Sequence, residues 1–63
     1  MMYIPDYENA IKDYIIYSGQ NPEDWDINGA AWDMYEKFPD IDNIDQVDQD
    51  VFTDILMKHD YNR

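Results

Sequence analysis

Fifteen carboxylates and only four cationic side chains share this 63-residue chain, giving a formal charge of −11 at neutral pH. Like charges strain any compact state through self-repulsion, and a net charge of about 2–8 already keeps a small domain soluble. A chain so acidic is therefore disordered, a binder of cations, or a protein whose acids meet a basic surface. The aromatic content separates the first case from the others. Six Tyr, two Trp and two Phe stand beside only two Gly and three Pro, whereas disordered acidic segments are poor in aromatics. A folded domain is expected. At this length there is room for one domain, residues 1–63, and one core, because a chain of this size buries only about 60% of its unfolded surface.

The chain has no cysteine, so packing or a partner, rather than disulfides or thiolate metal sites, must hold it together. A cytoplasmic location, in a bacterial host cell, is the natural expectation. Met1 to Asp6 carries no basic region and no signal-like apolar run, and no stretch approaches the ~20 apolar residues of a membrane span. Anionic membrane surfaces and nucleic-acid phosphates would both repel the chain. Neither a membrane nor direct nucleic-acid contact is expected.

Hydrophobic periodicity predicts an all-α fold, a small bundle of three short helices over about 6–18, 26–38 and 42/48–60. In the first, Asp6 is the expected N-cap after Pro5, and Tyr7, Ala10, Ile11, Tyr14, Ile15 and Ser18 share one face. Gly19 falls where a left-handed C-terminal residue is expected. Asn21-Pro22-Glu23-Asp24 is a helix-start signal, with a second start at Asp26. Ile27, Ala30, Ala31, Met34 and Phe38 then form a stripe flanked by Trp32 and Tyr35, which Pro39 ends. The small residues Gly29, Ala30 and Ala31 invite close approach of another helix. In the third segment Val47, Asp48 and Phe52 have the spacing of a hydrophobic staple. Val51, Phe52, Ile55, Leu56 and His59 are the expected inward face, and Tyr61-Asn62-Arg63 the expected frayed tail.

Catalytic machinery is missing from the sequence. There is one His, one Ser and one Thr, and a lone His without an orienting partner makes a poor general base. His59 reads as an edge-of-core or surface residue, and Ser18 as serving a helix end. No glycine-rich phosphate loop is present, and a core this small offers no cleft in which paired carboxylates would separate their roles. No enzyme activity, cofactor or metal is expected. Asp40-Ile41-Asp42-Asn43-Ile44-Asp45 superficially resembles a calcium loop. An EF-hand needs oxygen ligands at positions 1, 3 and 5, Gly at 6 and Glu at 12, and neither the register from Asp40 nor that from Asp42 satisfies it.

The acids are unevenly placed. Asp40, Asp42, Asp45, Asp48 and Asp50 follow one another without an intervening base, and Asp54 continues the series. Were the stretch one helix, Asp42, Asp45 and Asp48 would lie at i, i+3, i+6, neighbours about 4.5 Å apart along the axis. Glu23, Asp24 and Asp26 form a second cluster around Trp25, the expected exposed anchor, with Tyr3, Tyr17 and Tyr61 weaker candidates. Solvated helix starts account for Asp6, Glu23, Asp24 and Asp48. The remainder point to a charge-directed binding face.

In size, charge and lack of catalytic parts the chain resembles the small DNA-mimic inhibitors that phages direct against host nucleases, among them anti-CRISPR and anti-restriction proteins. The resemblance is one of composition and rests on no motif. It implies a non-enzymatic inhibitor that occupies the basic nucleic-acid site of a nuclease or other DNA-binding protein. The alternative is an acidic interaction module, such as an antitoxin or regulatory subunit, that binds a basic partner through the Ile44, Val47, Val51, Ile55 stripe or the exposed aromatics. Oligomeric state is not legible.

Overall fold

Helix α1 spans Ile4–Tyr17 in the computed structural model, which describes residues 1–61. It begins two residues before the expected Asp6 cap. Pro5 lies inside the first turn, where its missing N–H is no loss and its fixed φ suits the helix. Tyr3 is the N-cap. Asp6 supplies a carboxylate Oδ2 that accepts the Tyr3 N–H at 2.9 Å and sits favourably in the first turn. Tyr7, Ile11 and Ile15, each one turn further on, are buried, with Ala10 and Tyr14 packed beside them. At the other end Ser18 Oγ donates to the Tyr14 carbonyl at 2.9 Å. Gly19 adopts φ +81°. The Gln20 and Gly19 N–H groups return to the Ile15 and Ile16 carbonyls at 3.1 and 3.0 Å, the paired bonds that close a helix on a left-handed residue.

Both helix-start signals in the next segment are used. Asn21 Oδ1 accepts the Glu23 N–H at 3.0 Å and opens a single 3-10 turn, Pro22–Asp24. Asp26 Oδ1 accepts the Gly29 N–H at 3.1 Å and opens α2, Ile27–Lys37. Ala30, Ala31 and Met34 are buried, and α2 packs closely on α1, as the small residues anticipate. The Tyr7 hydroxyl of α1 donates to the Phe38 carbonyl at the end of α2, tying the helix C-terminus to its neighbour.

The third segment is broken where the sequence left the start open. Ile44–Gln46 is a 3-10 turn, and α3 runs Gln49–Met57, stopping three residues before the expected end. Asp48 caps α3 by accepting the Asp50 N–H at 2.9 Å. Val47 and Phe52 on either side of the cap are both buried, completing the staple. Phe52, Ile55 and Leu56 face the core, but Val51 turns outward and is 37% exposed. The chain then doubles back. Asp26 N–H donates to the His59 carbonyl at 2.8 Å and Tyr61 N–H to that of Asp24 at 3.0 Å, a single antiparallel bridge. Of the tail expected to fray, Tyr61 is held by its backbone; Asn62 and Arg63 lie outside the described residues. At the opposite end Met2, itself buried, donates its N–H to the Ile41 carbonyl at 3.0 Å.

The result is a bundle of three α-helices with no strand among the described residues. Its radius of gyration is 10.6 Å, equal to the ~10.6 Å that length scaling gives for a packed chain of this size. The core seats six of the ten aromatic rings: Tyr7, Tyr14, Trp25, Tyr35, Phe38 and Phe52 are buried or packed against it. Tyr7–Tyr35 and Tyr14–Phe52 meet edge to face at 6.1 and 5.0 Å between centroids. No helix among the described residues is long and apolar enough to cross a membrane.

Candidate partner-binding surface

All six carboxylates of the main acidic cluster reach solvent, but not from one helix. Asp40 and Asp42 lie in irregular chain, Asp45 in the 3-10 turn, Asp48 at the cap of α3, and Asp50 and Asp54 within α3. The expected i, i+3, i+6 row of Asp42, Asp45 and Asp48 therefore does not form. Val47 turns into the core and breaks the backbone between Asp45 and Asp48. Only Asp50 and Asp54 keep helical i, i+4 spacing, about 6 Å along the axis.

Local structure also explains more of these acids than the sequence indicated. Asp45 sits in the first turn of its 3-10 segment and Asp50 in that of α3, both favoured by unpaired N–H groups there. Asp42 accepts from the Met1 amino group. That hydrogen bond first, and then the charge, holds the Asp42 carboxyl below the ordinary carboxylate value. Asp40, Asp45, Asp48, Asp50 and Asp54 have no cationic partner within ion-pair distance among the described residues.

The loop bearing these acids is ordered by a residue that sequence reasoning passed over. Gln46 Oε1 accepts the N–H groups of Asp42 at 2.7 Å and Asn43 at 3.1 Å, while Asn43 Oδ1 accepts that of Asp45 at 3.0 Å. The spacing Asn43-x-x-Gln46 is the capping-box signature, and it was legible. Together with the Met2 to Ile41 bond it fixes residues 41–46 against the bundle.

In the second cluster Glu23 and Asp24 are exposed, but Trp25 and Asp26 are not the outward pair expected. Trp25 packs against the core, because the antiparallel bridge with Asp60 draws residues 24–26 inward. The exposed tryptophan is Trp32 on α2, at 50%, its ring edge against Tyr35 at 6.1 Å. Tyr3, Tyr17 and Tyr61 are exposed as expected, Tyr17 at 91%. Asp26 is occupied internally. One carboxylate oxygen caps α2, and the other lies 3.3 Å from His59 Nδ1.

His59 is not the unpartnered histidine of the sequence reading. Its Nε2 lies 3.3 Å from Asp33 Oδ2, so the ring is held between two carboxylates, and Lys37 Nζ stands 3.5 Å from the other Asp33 oxygen. Both contacts are hydrogen bonds only when both ring nitrogens carry a proton; either neutral tautomer satisfies one. Gly29 lies beneath this group. A Cβ there would come 2.1 Å from Asp26 Oδ2 and 3.0 Å from His59 Nδ1. The arrangement braces the chain end to α2. Ser18 Oγ and Thr53 Oγ1 donate to main-chain carbonyls of their own helices.

Among the described residues, no three His, Asp or Glu side chains converge as a metal ion would require. The Ile44, Val47, Val51, Ile55 stripe is largely taken by the core: Val47 and Ile55 are buried, Ile44 is half-buried, and only Val51 is exposed. No family model, no curated protein and no solved structure matches this chain.

Proposed function

We propose that this protein is a non-enzymatic inhibitor that acts as a nucleic-acid mimic, occupying the basic groove of a DNA-binding protein such as a host defence nuclease. The observation that carries the reading is the set of exposed carboxylates from Asp40 to Asp54. Five of the six lack a cationic partner among the described residues and are displayed on a surface that Gln46, the Asp48 cap and the Val47–Phe52 staple hold in shape. Duplex DNA carries one charge per ~1.7 Å of its axis. The carboxylates are exposed and not gathered into a chelating cluster among the described residues, which suits a lined groove better than a single ion. Glu23 and Asp24 are exposed as well; Trp25 and Asp26 serve the fold. The other reading, an antitoxin-like module, would dock through its exposed aromatics, Tyr3, Tyr17, Trp32 and Tyr61, rather than through the Ile44 to Ile55 stripe, most of which the core uses.

Replacing Asp40, Asp42, Asp45, Asp48, Asp50 and Asp54 together by Asn tests the proposal. Asn caps helices as well as Asp does, so the fold should survive. Binding to the target should be lost, and wild-type binding should weaken steeply with salt as attraction is screened over ~8 Å at physiological ionic strength. Unchanged binding by the folded sixfold variant sinks the reading.

A further inference from the structure

A groove of about 340 Å³ opens between α1 and the 44–52 segment. Ala10, Val47 and Phe52 supply apolar lining, Tyr14 a second aromatic ring, and Asp45 and Gln49 polar groups. It lies at the small end of the ~300–1,000 Å³ range of ligand pockets, the size for one long side chain. Its aromatic wall is preformed, because Tyr14 and Phe52 are locked edge to face at 5.0 Å. The Asp45 carboxylate is exposed and without a cationic partner among the described residues, and Asp48 and Asp50 follow it in the chain.

The groove thus combines three features: apolar surface, aromatic rings and an exposed acidic residue in its lining. Arginine matches all three. Its methylene stem takes the apolar lining, its flat and weakly hydrated guanidinium stacks on rings, and its fork of donors reaches a carboxylate. Lysine's compact, strongly hydrated ammonium matches only the last. A neutral apolar ligand would leave Asp45 unused, and a second copy of a chain at −11 would be repelled. We propose that this groove receives an arginine side chain of the basic partner. The inference rests on the acidic-face reading and names the point at which that face is more than charge.

The test uses capped nonaarginine, with nonalysine beside it, titrated into the full chain. Ala10→Leu adds bulk to the lining without changing charge, Asp45→Asn removes the charge of the lining, and Glu36→Gln removes an equal charge on α2. Ala10→Leu and Asp45→Asn should each weaken nonaarginine about tenfold, equivalent to ~1.4 kcal/mol, and Glu36→Gln no more than about twofold. The Tyr14 and Phe52 ring resonances should shift with arginine and not with lysine. Equal shifts with both peptides, or none, overturn the proposal even if Ala10→Leu proves poorly folded. Full binding by a folded Ala10→Leu also overturns it. In that event, loss of nonaarginine binding in the sixfold Asp→Asn variant leaves the acidic-face reading standing, and its retention there removes both.

Discussion

Gly29→Ala is the substitution for which this structure and simple helix rules disagree in sign. In an open helix alanine is favoured over glycine by up to ~1 kcal/mol. Here the new methyl would meet Asp26 Oδ2 at 2.1 Å and Asp26 Cγ at 2.8 Å, so the carboxylate must swing away. That forfeits the α2 cap, worth about 1 kcal/mol, and the part-exposed contact with His59, worth about 0.2–1 kcal/mol. His59 Nδ1, 3.0 Å from the same point, must yield slightly as well. Against the propensity gain, the net is a destabilisation of about 0.2–1 kcal/mol, read as a fall in Tm of roughly 1–8 °C for a domain of this size. Urea and thermal melts followed by helical circular dichroism suffice, run on wild type, Gly29→Ala, Asp26→Ala and the double variant. Once Asp26 is truncated the obstruction is gone, and Gly29→Ala should become neutral or stabilising, with a coupling of about 1–2 kcal/mol across the cycle. If Gly29→Ala stabilises the wild type, or acts equally in both backgrounds, the account of why glycine stands at this position is wrong.

Three further outcomes follow from the packing. The Tyr7 hydroxyl is pushed up from the ordinary phenol value of 10.0, by burial first and then by Tyr35 and Asp40; the unfolded chain ionises there first, so this contribution to stability is whole below pH 10 and is lost as pH rises through the folded value. Tyr7→Phe should flatten that alkaline fall in melts while costing about 0.5–1.5 kcal/mol at neutral pH for the bond to Phe38. Gln46→Ala should speed amide exchange of Asp42 and Asn43, which lose their shared acceptor, with little change at core amides such as Ile11; uniform exchange across the chain would mean the loop is not separately ordered. Val47→Ala should destabilise by about 1–2.5 kcal/mol and Val51→Ala by no more than ~0.5, since the first is 7% exposed and the second 37%; equal effects would contradict the break in the apolar row.

What the sequence revealed and what it concealed divide along the range of the interactions involved. The Tyr7, Ile11, Ile15 stripe, the Asn21 and Asp26 caps, Gly19 and the Val47–Phe52 staple are all local, set by residues within one or two turns. Each was readable from spacing. The start of α1 is ambiguous in the sequence, because Pro5 suits a position just before a helix and its missing N–H fits the first turn equally well. The acidic series was correctly read as exposed, yet its geometry was not. A helical row requires the backbone to stay helical through Val47, whereas Val47 is extended and buried between the 3-10 turn and α3. Which tryptophan reaches solvent depends on residues 59–61 returning to 24–26, a contact across the whole chain that periodicity cannot carry. The two carboxylates around His59 come from Asp26 and Asp33, 33 and 26 residues away, and no local pattern announces them.

The central claim is that the Asp40–Asp54 face stands in for nucleic acid. Its most direct test is competition: immobilised wild-type protein is loaded from a bacterial lysate, then washed with duplex DNA or with an equal charge of polyglutamate. Retained DNA-binding proteins should be released by duplex far more readily than by polyglutamate, and the sixfold Asp→Asn variant should never retain them. Retention that duplex DNA cannot reverse, or that survives loss of all six carboxylates, would contradict it.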